Sequence, residues 1–250
     1  MKNVKCLLLL LIMSTITITA YGHKRLLFDR AHGQCKGNNY TADVLPDYRA
    51  MCDEMGVEFV INDEKFSDSL FEDYDVVFMM SPLQKDLQVD LTDEEIDAIV
   101  NFVNRGGSFV VFIDEESHRV EIERFGINRA LNVFGVELSS DDVQDVKGNC
   151  GGISIENQIF AGRYEIPYSG GRQVKGGIPA AVCMDGGWVH STYVVTPTGG
   201  KLFASGETMV ALLMGSDEVE RHGRASMTQR GWWGKDSYQF IREVIAWAVK

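Results

Sequence analysis

The residues of this 250-residue chain best placed for chemistry are acids, a histidine and an amide that follow directly on short apolar runs. Asp29, Arg30, His32 and Gln34 come after Leu26-Leu27-Phe28, and Ser81 and Pro82 after Val76 to Met80. Asp114, Glu115, Glu116 and His118 come after Phe109 to Ile113, and Gly206 and Glu207 after Lys201 to Ala204. Apolar runs of this length suit buried strands, and in an open parallel sheet ligands bind beyond the carboxyl ends of the strands. Asp29, His32, Gln34, Asp114, Glu115 and Glu207 are therefore the expected ligand contacts. His32 with Asp29, Asp114 or Glu115 could supply an acid and a base to one reacting centre. Gly33 would let backbone approach a ligand closely. The structural alternative is plain: Asp29 would serve its turn, and Asp114 to Glu116 would be a solvated loop.

Other chemistries find less support. Hydrolases of this general type place Ser or Cys in a glycine-flanked turn between strand and helix, whereas this turn reads Ile113-Asp114-Glu115-Glu116-Ser117. Cys35 near His32 is a thiol and an imidazole in one loop, but an exposed thiolate in an oxidising compartment is short-lived. Asp29, His32, Asp114 and Glu207 are of metal-ligating type, yet no short ligand motif accompanies them. No Gly-x-Gly-x-x-Gly fingerprint follows the first strand and no Walker Gly-Lys-Ser/Thr occurs, so no cofactor is expected. Trp232 and Trp233 stand between Gly231 and Gly234, where exposed indoles would stack on the apolar faces of sugars.

The elements that would position these residues alternate between strand and helix from Arg25 to about Val136, which predicts a parallel sheet covered by helices. Val44, Tyr48, Met51, Cys52 and Met55 share one helical face, ended by Gly56. Val57 to Ile61 is the second strand, and Thr92 with Glu95 forms a capping box ahead of Ile96, Ile99, Val100 and Val103. Arg105-Gly106-Gly107 closes that helix, and a further one runs from about Ile127 to Phe134. Between residues 148 and 200, five Gly-Gly pairs punctuate short apolar runs, which predicts a β-rich insertion of hairpins. A last helix carries Ile241, Val244, Ile245 and Ala248.

Residues 1–22 have the order of an export signal: Lys2 and Lys5, an apolar stretch from Cys6 to Met13, then Ala20-Tyr21-Gly22. Cleavage is expected after Gly22, leaving residues 23–250 as one domain in the periplasm or outside the cell, with no stable membrane insertion. The net charge of −12, with no basic cluster, makes nucleic acid and anionic lipid poor partners. Of the five cysteines, Cys6 leaves with the signal, and Cys35, Cys52, Cys150 and Cys183 permit three pairings. Cys52 falls on a core helix face, and Cys150 with Cys183 is the preferred bridge.

Leu26 to Gln34, the strand from Val76 to Pro82, the Thr92 to Ser108 helix with its closing glycines, and the pattern from Gly206 to Trp247 resemble a domain family of the class I glutamine-amidotransferase-like superfamily. The resemblance covers the first half of residues 23–250 well and the last third loosely. It implies a flavodoxin-like three-layer sandwich with the site at the strand tips. It does not imply amidotransferase activity, because Asp114 or Glu115 stands where those enzymes carry their cysteine. Some members of the superfamily look like sugar-utilisation proteins. The expectation is thus an exported domain that binds a glycan or other small polar ligand, with a carbohydrate hydrolase and a structural subunit of an envelope complex as alternatives.

Overall fold

The computed structural model describes residues 23–33, 39–82, 84–117, 119–142, 151–167, 171–184, 187–212 and 236–250. The signal-like segment, Gln34, Cys35, His118, Cys150, Trp232 and Trp233 lie outside the described residues.

The first half alternates as the sequence predicts. Strands β1 (Lys24–Asp29), β2 (Val57–Asn62), β3 (Val76–Met80) and β4 (Ser108–Phe112) are joined through helices α1 (Asn39–Glu54), α2 (Asp68–Phe71) and α3 (Asp93–Asn104). Two short helices, α4 (Ile122–Phe125) and α5 (Ile127–Leu131), precede β5 (Val136–Asp142). The glycine-rich part supplies β6 (Gly152–Ser154), β7 (Glu165–Ile166), β8 (Arg172–Gly176), β9 (Ile178–Cys183) and β10 (Val189–Val195). The chain then returns through β11 (Lys201–Ser205) to α6 (Met209–Leu212) and α7 (Ser237–Ala248).

The main sheet has nine strands in the order β2-β1-β3-β4-β11-β10-β9-β6-β7. Its first five strands are mutually parallel, and the remaining pairings are antiparallel. The period-2 alternation of strand side chains divides the core between two faces. Leu26, Phe28, Val76, Phe78, Met80, Val110 and Phe112 pack on one side with Tyr48 and Met51 of α1 and Phe240, Ile241 and Val244 of α7. Leu27, Val77, Met79, Phe109 and Val111 pack on the other with Ile96, Ile99, Phe102 and Val103 of α3 and with α5. Strands buried on both faces have no polar side to show, which is why β3 and β4 read as unbroken apolar runs.

Local signals act as expected at the helix ends. Thr92 Oγ1 accepts from Glu95 N at 3.3 Å while Glu95 Oε2 accepts from Thr92 N at 3.0 Å, completing the capping box. Gly56, just past α1, has φ +68°, the left-handed conformation that ends helices without Cβ strain.

The glycine-rich segment forms strands that join the main sheet, and one that leaves it. The consecutive strands β6 and β7, and β9 and β10, pair antiparallel and extend the main sheet, with Val189 opposite Val182 and Ile153 opposite Val182. Strand β8 leaves that sheet and pairs with β5 to form a second, two-stranded one. Val136, Leu138 and Val174 of this small sheet seal the same face as α3 and α5. Strand β5 itself was not expected, because its period-2 pattern spans only a few residues and it needs a partner from far along the chain.

Candidate functional site

The described strand-tip residues make two sets of contacts. They divide into two hydrogen-bonded groups, one beyond β1 and one beyond β3, β4 and β11.

Beyond β1, Asp29 and His32 are buried and join a third residue, Glu95. His32 Nδ1 lies 2.9 Å from Asp29 Oδ2, and its Nε2 lies 2.9 Å from Glu95 Oε1. Burial by itself disfavours the imidazolium, but hydrogen bonds and charge from Asp29 and Glu95 outweigh it and raise the His32 pKa to about 9. Burial likewise opposes ionisation of Glu95, yet the His32 hydrogen bond, the Thr92 and Phe66 amides and the imidazolium charge bring it down to about 2. Each carboxylate is otherwise occupied: Asp29 Oδ1 accepts from Ala31 N and Asn62 Nδ2, and Glu95 accepts from Thr92 N and Phe66 N. The ring of Phe66 covers the imidazole at 4.6 Å between centroids.

This geometry engages His32 and Asp29 with each other and with Glu95. Both ring nitrogens face carboxylates and the ring is 1% exposed, so His32 ties β1 to α3. Gly33 serves the same packing: with φ +90°, its position would put a Cβ 2.2 Å from the Leu87 carbonyl oxygen. The close approach is to protein backbone. Glu95 announced itself in the sequence only as a helix cap.

The second group is different in kind. Asp114, directly beyond β4, is 2% exposed. Its amide donates to Ser81 Oγ at 3.0 Å, and its Oδ1 accepts from Glu115 N at 2.8 Å. Ser81 Oγ lies 3.3 Å from Thr208 Oγ1, which in turn reaches the Phe112 carbonyl. Asp114 Oδ2 is buried and has no hydrogen-bond donor among the described residues. Burial raises the Asp114 pKa to about 6, with the Glu115 amide, Arg119 and Arg172 pulling the other way. An unsatisfied buried carboxylate oxygen is costly to hold.

Arg172, which the sequence did not single out, builds the floor of this group. Fully buried at the start of β8, it donates to the carbonyls of Asp114, Val120 and Ser139 and pairs with Glu116 Oε2 at 2.7 Å. Its own amide donates to the Gly206 carbonyl. Gly206 sits so close beneath it that a Cβ there would lie 2.0 Å from the Arg172 carbonyl oxygen. Glu115 stands 3.9 Å from Arg119. Glu207 is buried beyond β11, its Oε1 accepting from Met209 N at 2.9 Å. Another buried histidine, His190 of β10, lies 3.1 Å from the Pro167 carbonyl, and burial lowers its pKa to about 4.

Among the described residues no group of three His, Cys, Asp or Glu side chains could hold a metal ion. Cys183 is disulfide-bonded and Cys52 is a buried free thiol whose pKa burial pushes up to about 12. The bridging partner of Cys183 lies outside the described residues.

No protein-family model matches the sequence. No curated protein matches it either. Solved structures do resemble it. The N-terminal domain of mmIFT52 matches with a TM-score of 0.57 at 14% identity, over 84% of this chain and 96% of that one. The exo-beta-1,4-mannosidase Op5Man5 from Opitutaceae bacterium strain TAV5 matches with a TM-score of 0.51 at 12% identity, over 88% of this chain. The match spans only 36% of the mannosidase chain. A ThuA-like protein from Bacteroides uniformis ATCC 8492 stands further off, with a TM-score of 0.43 at 11% identity. At such identities the likeness is one of fold: an α/β sandwich that recurs as the N-terminal domain of mmIFT52 and as part of a larger mannosidase.

Proposed function

We propose that this chain is an exported binding domain of the glutamine-amidotransferase-like type, without amidotransferase activity, that takes a glycan or other small polar ligand at the tips of β3, β4 and β11. The observation that carries this reading is Asp114 Oδ2, a buried carboxylate oxygen without a donor at the carboxyl end of a central parallel strand. Strand tips in open α/β sheets are where ligands meet the protein. A sugar hydroxyl is a donor of the kind this oxygen lacks.

Three further points support the reading. Asp114 follows the strand whose turn would carry the amidotransferase cysteine, and a buried carboxylate does not replace a thiolate nucleophile. The disulfide at Cys183 accords with an oxidising compartment, as the N-terminal segment suggests. One structural neighbour is part of a mannosidase, which favours carbohydrate among polar ligands. Trp232 and Trp233 would add stacking surface. Hydrolysis with His32 as base is disfavoured by the engagement of both its nitrogens.

The test is a glycan array followed by calorimetry on the protein recovered from the extracytoplasmic fraction, where its N terminus is expected at His23. Binding of an oligosaccharide is expected, together with its loss in Asp114→Asn at unchanged folding. No binding across the array, or equal binding by the variant, would overturn the proposal.

A further inference from the structure

The sequence carries no basic cluster, but folding makes one. A cavity of about 410 Å³ opens at the amino ends of β1, β4 and β11, the end of the sheet opposite Asp114. That volume lies within the roughly 300–1,000 Å³ of small-molecule pockets. Lys24 begins β1, Lys201 begins β11 and Lys250 follows α7, so positions far apart in the chain bring three ammonium groups to one lining. Arg105 adds a guanidinium, and the acids of the lining are Glu72 and Asp75. Asp75 accepts from Lys24 Nζ at 2.7 Å and from the Arg25 amide at 2.9 Å, while Arg105 donates to Asp68 at 2.8 Å. Basic side chains near helix carboxyl ends often do no more than cap them. Here the Trp247 carbonyl accepts from Lys201 Nζ and the Ala248 carbonyl from Ser108 Oγ, both at 2.7 Å. The carbonyls of Asn101, Phe102 and Val103 at the end of α3 accept from the amides of Arg105, Gly107 and Gly106. Capping both helices therefore uses only one donor of Lys201.

An ammonium has three donors. Among the described residues Lys24 and Lys201 each use one, and the Lys250 ammonium donates to no protein acceptor. The three charges also act on one another: burial first, then the charges of Lys24 and Lys250, lower the Lys201 pKa. Unused donors and mutual repulsion are relieved by the same partner, an anion with several acceptor oxygens. A planar carboxylate brings two oxygens to three ammoniums, whereas a phosphate or sulfate group brings at least three in tetrahedral array and more negative charge. We infer that this cavity binds a tetrahedral oxyanion, a phosphate or sulfate group, with the ammonium groups of Lys24, Lys201 and Lys250 as its donors. The site lies at the far end of the sheet from the proposed glycan site and does not depend on it.

The experiment measures acylation of each lysine by acetic anhydride, read by mass spectrometry, at constant ionic strength with inorganic phosphate, sulfate, acetate or glucose 6-phosphate added. Phosphate and sulfate are expected to slow the reaction of Lys24, Lys201 and Lys250 along one saturable curve, while Lys175 on β8 reacts as before. Acetate should give no such protection. Protection by glucose 6-phosphate stronger than by phosphate would assign the site to an ester, and weaker protection to the free ion; both outcomes support the oxyanion. Lys201→Gln should weaken phosphate about tenfold, the loss of one charge-assisted hydrogen bond. Lys250→Gln, at an exposed position, should weaken it about fivefold and keeps the test open should the Lys201 variant fail to fold. Equal protection by acetate, equal slowing of Lys175, no protection by any of the four, or unchanged affinity in a folded variant would each overturn the inference.

Discussion

Replacing Glu95 by Gln isolates the ion triad at the base of the first loop. The amide can still accept from Thr92 N, so the capping box of α3 survives, but the negative charge opposite His32 Nε2 is gone. His32 rises from an ordinary 6.5 to about 9 in the folded protein, a shift worth about 3 kcal/mol between its two protonation states. Because the folded pKa lies above the unfolded one, that stabilisation is complete below pH 6.5 and is lost as pH rises through about 9. Glu95 acts in the opposite sense: depressed to about 2, it stabilises above pH 4.5 and ceases to do so as pH falls through about 2. The two shifts describe one interaction and are not summed. Between pH 4.5 and 6.5 the triad is therefore fully stabilising. Glu95→Gln is expected to lose about 3 kcal/mol there, as removing one partner of a buried ion pair does. For a domain of this size that is a fall of roughly 6 to 12 °C in Tm. Urea denaturation of both proteins across the pH range gives the difference directly. A difference that stays within a few tenths of a kcal/mol, or one that does not shrink between pH 6.5 and 9, would refute the triad as a source of stability.

Two other perturbations probe the second group. Asp114→Asn should stabilise the protein: a carboxyl that burial raises from 3.8 to about 6, against the Glu115 amide, Arg119 and Arg172, costs stability as pH rises through that interval, by about 3 kcal/mol once ionised. Denaturation curves at pH 4 and pH 7 should converge at the lower value, and a variant less stable than the parent at pH 7 would contradict the reading of Asp114 as a strained acceptor. Gly206→Ala should cost several kcal/mol, about 3 or more, because its Cβ would lie 2.0 Å from the Arg172 carbonyl oxygen in a strand junction without slack. Gly56→Ala, open within 4 Å but at φ +68°, should cost only about 1 kcal/mol, and equal losses at the two sites would remove the packing argument.

What the sequence alone determined is the local layer of this protein. The unbroken apolar runs at β3 and β4, the face of α1 from Val44 to Cys52, the Thr92 and Glu95 capping box and the glycine at position 56 each depend on neighbours within a few residues. Periodicity and capping chemistry therefore suffice to read them, and with them the α/β sandwich. The partners of polar groups are decided at long range. His32 meets Glu95 across 63 positions and Arg172 meets Asp114 across 58, and no local spacing announces either pair. The same holds for β5 and β8, and for the joining of the β6-β7 and β9-β10 pairs into the main sheet. Sequence could name Asp29, His32 and Asp114 as acids and a base at the strand tips. Only tertiary packing joined Asp29 and His32 to Glu95 while leaving Asp114 Oδ2 buried without a donor among the described residues.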